Sequence, residues 1–202
     1  YYGGGLHPNW FKYGAFYSYL LSLFYWVQCL FVEGSIHEFV ESYFQDSFSY
    51  YYISRFFNST IHVGIAVLIF VMGKMMNLRV ALWAFLLAIL PFSDLLTNFT
   101  SRVDSLLALN ITISIFFLCL YVRRGHVITY LFAGLFAGFA FGTKPLPSLM
   151  ILPVIPLAWI LHNSRFSEAT MSIKSFFISL VKAPIHWHNY ALLLTLGLGV
   201  FL

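Results

Sequence analysis

Four of the charged residues in a largely apolar chain, Lys12, Arg55, Asp104 and Lys144, are the residues whose types and placing suit chemistry. Charge beside lipid is expensive, and residues that bear it are functional suspects by default. Threading the chain by its charges puts Arg55, Asp104 and Lys144 on one side of a bilayer, at or near helix ends. Lys12 joins them if the segment that comes after it lies along the surface. Three cations and a carboxylate on one face suit an anionic, lipid-linked substrate. Each has a plainer role open to it: Arg55 and Lys144 could snorkel, Lys12 could anchor a helix among headgroups, and Asp104 could sit in a helix first turn, where the dipole favours it. His7 stands in the loop leading to Lys12 and is either a second phosphate ligand or an ordinary loop residue.

The elements that must position these groups are membrane helices. The 202 residues are 60% hydrophobic, 20% aromatic and 9% charged, and mean hydropathy is +0.83. Soluble domains carry about 25% charged residues. The net charge of +4 is small and its cations are scattered, which argues against a nucleic-acid surface. Cys29 and Cys119 lie in apolar runs, outside any metal-ligand spacing, and read as buried thiols. Tyr1 opens a Gly-rich loop, no signal peptide is visible, and Leu202 closes inside an apolar run. The chain is therefore expected to be a piece of a larger protein.

A helical span needs about 20 mostly apolar residues. Six segments approach that: 54–73, 79–93, 104–122, 127–142, 146–162 and 187–202. If they alternate, Lys74, Arg79, Arg123, Arg124, Arg165, Lys174 and Lys182 share one side, which the positive-inside rule makes cytoplasmic. The remaining cations, with Asp94 and Asp104, fall outside. Segment 13–32 carries Tyr13, Tyr17, Tyr19, Tyr25 and Trp26 among Leu and Phe, and is expected to lie as an interfacial helix on the outer face. Segment 35–53, with Glu38, Glu41 and Asp46, reads as a short amphipathic helix and loop. A second amphipathic stretch is expected at 173–181 on the cytoplasmic surface. Gly134, Gly138 and Gly142 recur every four residues and permit close helix packing. The fold class is thus an all-α membrane bundle. Residues 1–53 form part of an extracytoplasmic loop with juxtamembrane helices, and 54–202 form the bundle.

No HExxH, P-loop or GxSxG motif is present, which leaves metalloprotease, NTPase and α/β-hydrolase chemistry without support. His186 and His188 are a weak pair on the cytoplasmic side. Asn58-Ser-Thr and Asn98-Phe-Thr fit the glycosylation pattern on the outer side, and Asn110-Ile-Thr fits it inside a span. A divalent cation near Asp104 is compatible with the sequence, but no cofactor is required by it and no complete ligand set accompanies the carboxylate.

The run HPNWFKYGAFYSYLL, residues 7–21, resembles the first extracytoplasmic loop of the polytopic GT-C glycosyltransferases that use polyprenyl- or dolichyl-phosphate-sugar donors. That group includes the dolichyl-phosphate-mannose protein mannosyltransferase relatives and the aminoarabinose transferases. The likeness continues in order through SRFFNSTIHVGIAVLIFVMGKMM, LPFSDLLTNFTSRVDSLLALNITISIFFLCLYVRRG and LFAGLFAGFAFGTKPLPSLMILPVIPLAWI. It implies a GT-C bundle with its active face extracytoplasmic or lumenal, in the plasma or inner membrane of a bacterium or the endoplasmic reticulum of a eukaryote. Lys12 and Lys144 would hold the lipid phosphate, Arg55 would support the phosphate or the loop, and Asp104 would be the acidic residue at the outer end of the third span, shaping the site or helping a metal. His7, in the same loop as Lys12, is grouped with the lipid-phosphate residues. The reaction implied is inverting sugar transfer to an acceptor hydroxyl, in protein or lipid glycosylation. The family's further acidic residue, its usual base, would lie upstream of Tyr1, and Gly14 stands where the family prefers Pro. A flippase or transporter for an anionic lipid would use the same cations, and an inactive assembly subunit is a third reading.

Overall fold

The computed structural model describes residues 16–45, 47–90, 103–165, 195 and 197. Among these the chain is helical throughout, with no strand. Helix α1 spans Phe16–Gln28 and runs into a π-helical turn, Cys29–Glu33. Gly34, at φ 77°, reverses the chain into α2, Ile36–Gln45. Four further helices come next: α3, Ser47–Lys74; α4, Leu78–Ile89; α5, Asp104–Arg124; and α6, Val127–Thr143. A single turn, α7, Pro145–Ser148, and a 3₁₀ turn, Leu149–Ile151, lead into α8, Val154–Arg165.

Three helical stretches are long and apolar enough to cross a membrane: Tyr52–Lys74, Asp104–Arg124 and Pro145–Asn163. They coincide with three of the six expected spans. Val127–Thr143 has 17 residues and Leu78–Ile89 has 12. At 1.5 Å per residue these reach about 25 and 18 Å, against a hydrocarbon core of about 30 Å. Segments 173–181 and 187–202 and the loop residues Asp94 and Asn98 lie outside the described residues, apart from positions 195 and 197.

The sequence explains where the helices break. Asn77 caps α4 by accepting the Val80 N–H at 2.8 Å. Gly73 is needed just before that turn, because a Cβ there would stand 2.6 Å from Ala81 Cα. Gly125 ends α5 at φ 72°, a left-handed cap that favours glycine. Pro145 forces Lys144 into an extended conformation, φ −155° and ψ 101°, and so stops α6. Pro153 stands between the 3₁₀ turn and α8, so residues 145–165 are not one unbroken helix.

Helix α5 is the central element, packed against α3, α6 and α8. Between α5, α6 and α8 lies one core, built on Leu118, Tyr121, Tyr130, Ala133, Ala137, Ile155 and Trp159. Lipid supplies no hydrophobic drive between helices, so close contact and hydrogen bonds must hold them. Both are present: Ser114 Oγ donates to the Ala133 carbonyl at 2.7 Å, and Ala133 and Ala137 give α6 a small-residue face in that core. Gly134 and Gly138 of the glycine stripe are buried and Gly142 is half-buried.

A second cluster joins Tyr17 of α1, Ile61 of α3 and Leu106 of α5, with Phe16, Phe57 and Val103 packed around it. Every one of these residues stands toward the Asp104 end of the bundle. Helix α1 therefore lies across that end. Tyr17 meets Asn58, Phe24 meets Phe57 and Tyr25 bonds Ser54. Advancing along α1 moves back along α3 over little more than one turn.

Candidate functional site

Asp104 opens α5 and Lys144 stands directly after the last residue of α6. Asp104 is in the first turn, where the helix dipole favours a carboxylate. Lys144 caps the C-terminus of α6, where the dipole favours a cation. Because α5 and α6 are antiparallel neighbours joined at Gly125, their far ends must meet. Lys144 Nζ lies 2.7 Å from Asp104 Oδ1. The lysine side chain is 28% exposed and the carboxylate 54%. Both side chains of the pair are thus partly exposed.

Thr143 and Ser148 hold the turn that presents Lys144. Both are fully buried, and their hydroxyls donate to the Phe139 and Pro145 carbonyls at 2.7 and 2.6 Å. Phe139, one turn before Thr143, stacks on Phe16 with ring centroids 4.9 Å apart. The start of α1 is therefore pinned beside the turn that carries Lys144.

Arg55 stands on α3 at the same end, half-buried, with its guanidinium carbon 5.8 Å from the centre of the Tyr52 ring. That is within reach of a cation–π contact. Helices α3 and α5 run parallel: Ile61 and Leu106 share a cluster, and a Cβ on Gly64 would touch Leu109 at 3.9 Å. In that register Asn58 falls at the level of Val103, and Arg55 one turn further out. His7 and Lys12 lie outside the described residues, but α1, which begins a few residues after Lys12, starts at this end.

Asn58 is the residue that sequence reasoning assigned to a different role. It is fully buried in the middle of α3, so the glycosylation pattern it heads is closed to modification. Its Nδ2 donates to the Tyr17 hydroxyl at 3.4 Å, and its Oδ1 is buried without a hydrogen-bond partner among the described residues. Asn110 is likewise buried within α5, as its position in a span implied. The signal for Asn58 was available in outline: a polar residue one turn inside an apolar helix is costly unless bonded. Burial pushes the Tyr25 phenol above its ordinary value, against the pull of its bond with Ser54.

The opposite end of the bundle is basic. An Arg123 Nη2 donates to the Met75 carbonyl, tying the end of α5 to the turn between α3 and α4. Lys74, Arg79, Arg123 and Arg124 are all exposed there. The bundle thus carries its basic turns at one end and the Asp104–Lys144 pair at the other, the separation the charge pattern predicted.

No group of three metal-ligating side chains occurs among the described residues. Chemically, the Asp104 end offers a cation that can bind an anion and a carboxylate that can accept a proton, in direct contact. No protein-family model, curated protein or solved structure matches the chain.

Proposed function

We propose that the chain is the membrane portion of a multi-pass glycosyltransferase that takes a sugar from a polyprenyl-phosphate-linked donor and passes it to an acceptor hydroxyl on the extracytoplasmic or lumenal face. The observation that carries this reading is the contact between Asp104 and Lys144. The pair couples the two halves of the reaction. A lipid phosphate arriving at the membrane surface competes with Asp104 for the ammonium of Lys144. When the phosphate takes the lysine, the carboxylate is released toward the acceptor.

The acceptor hydroxyl then attacks the anomeric carbon from the face opposite the lipid phosphate and gives its proton to Asp104. The bond from the anomeric carbon to the phosphate oxygen breaks, and its electron pair leaves on the lipid phosphate. Lys144, with Arg55 at the same end of the bundle, meets that growing charge as a fixed cation. One displacement inverts the sugar. Helix α1, with its exposed Trp26, Phe24 and Leu23, lies where the donor's prenyl chain would enter. His7 and Lys12 would complete the phosphate site. A divalent cation is not required by this scheme.

The test is transfer from a radiolabelled polyprenyl-phosphate-sugar donor pool by the full-length protein in membranes. Lys144→Ala and Asp104→Asn should each lower transfer by at least about a hundredfold, as loss of a charge-stabilising or proton-accepting group does, with expression unchanged. Movement of the lipid across the bilayer without any transfer, lost in the same variants, would replace this reading with a lipid transporter.

A further inference from the structure

The basic end of the bundle carries a feature the proposed reaction does not use. Between α5 and α8 lies a groove of about 270 Å³. Its floor and walls are two matching stripes. Ile115, Leu118, Cys119 and Val122 line it from α5, and Val154, Leu157, Ala158 and Leu161 from α8. Each set has the one-face spacing of a helix, so the two stripes run side by side for two turns, about 10 Å. Tyr121 and His162, whose rings lie 4.8 Å apart, close the stripes together at the basic end. Arg123 sits at the mouth of the groove there, exposed, with Arg124 beside it.

We infer that this groove is a binding site for an anionic phospholipid of the leaflet on the Arg123 side, one acyl chain lying between α5 and α8 and the headgroup phosphate on Arg123. Charge complementarity joined to an apolar slot points to that occupant. The groove offers no polar group to a chain lying in it beyond the Cys119 thiol, and ends at a guanidinium. The Met75 carbonyl takes one Nη2 donor of Arg123. A guanidinium has five donors in a planar fork, so the rest of the fork can meet a phosphate. The same bond fixes the Arg123 side chain, so lipid binding costs little further ordering. A bound lipid would in turn brace α5 against α8 at the end where α5 also holds the α3–α4 turn. This site is at the opposite end of the bundle from Asp104 and Lys144, and stands whether or not the chain transfers sugar.

The experiment is native mass spectrometry of the full-length protein released from nanodiscs holding equal phosphatidylglycerol and phosphatidylcholine. Wild type should retain phosphatidylglycerol in preference to phosphatidylcholine. Arg123→Gln should weaken that preference by about tenfold, the worth of one charged hydrogen bond. Arg123→Lys should keep most of it, which separates loss of charge from loss of fold. Leu157→Trp, which fills the groove from an exposed position, should displace both lipids while the protein stays monodisperse. Equal retention of the two lipids by wild type, or an unchanged preference in Arg123→Gln, would overturn the inference. So would a disulfide formed readily between Cys119 and a cysteine placed in 187–202 in the Cys29→Ala background, since the chain's own segment would then fill the groove.

Discussion

Lys144 touches Asp104 across 40 residues of sequence because two helices of opposite direction end side by side, one starting at the carboxylate and the other stopping at the lysine. Both groups remain partly exposed, so as a structural tie the pair is worth only about 0.2–1 kcal/mol. A role in substrate chemistry would cost far more to remove. Exchanging the charges in the double variant Asp104→Lys, Lys144→Asp should therefore leave thermal stability in detergent within a few degrees of wild type and still abolish sugar transfer. Recovery of transfer in the exchanged protein would mean that the pair only holds the helices together.

Asn58 and Tyr17 hold α1 against α3. Removing the tyrosine hydroxyl leaves the Asn58 amide buried with both its ends unmatched, a cost of about 1–3 kcal/mol. Tyr17→Phe should lower the unfolding temperature measurably. Adding Asn58→Leu to it should restore much of the loss, because the second change removes the stranded polar group. A double-mutant cycle by thermal unfolding reads the coupling directly. If the two changes add, the contact does not bear on stability.

Burial of Asn58 also bears on modification. Expressed in a eukaryotic host, the protein should show no mass shift at Asn58 on treatment with an endoglycosidase, although the tripeptide Asn58-Ser59-Thr60 satisfies the acceptor pattern. Glycan attached at that residue, found by peptide mass spectrometry, would contradict the placing of α3.

Two glycines close the basic end by different means, and their variants should separate. At Gly73 a Cβ meets the backbone of Ala81, which has no rotamer to yield, so Gly73→Ala should open the α3–α4 turn. At Gly125 a Cβ would fall 2.5 Å from His162 Cε1, and φ is 72°. Gly125→Ala then carries a clash and a left-handed penalty of about 1–2 kcal/mol. Adding His162→Ala should relieve the first and leave the second, giving partial recovery of stability. Full recovery would show that the backbone there is not left-handed.

The placing of α1 across one end of the bundle predicts the depth of its tryptophan. Trp26 is 54% exposed on α1. In a protein whose other tryptophans are replaced by Phe, its emission should be quenched strongly by lipids brominated near the headgroup and weakly by lipids brominated at the chain ends. Equal quenching at both depths would make α1 a spanning helix.

The sequence by itself determined the helical class, the apolar character and the segregation of charge. Each comes from local composition: spans from runs of apolar residues, breaks from Gly125 and Pro145, and the two ends from where lysine and arginine collect. It also placed Asp104 and Lys144 on one face, because alternating spans fix which loops share a side. Only the tertiary structure decided that the two charges touch, that Asn58 is a buried tie rather than an exposed acceptor, and that a slot opens between α5 and α8 beside Arg123. Those facts depend on the rotation and register of one helix against another. Side-chain packing between residues far apart in the chain sets both, and an apolar stripe read along one helix does not say which neighbour it will meet.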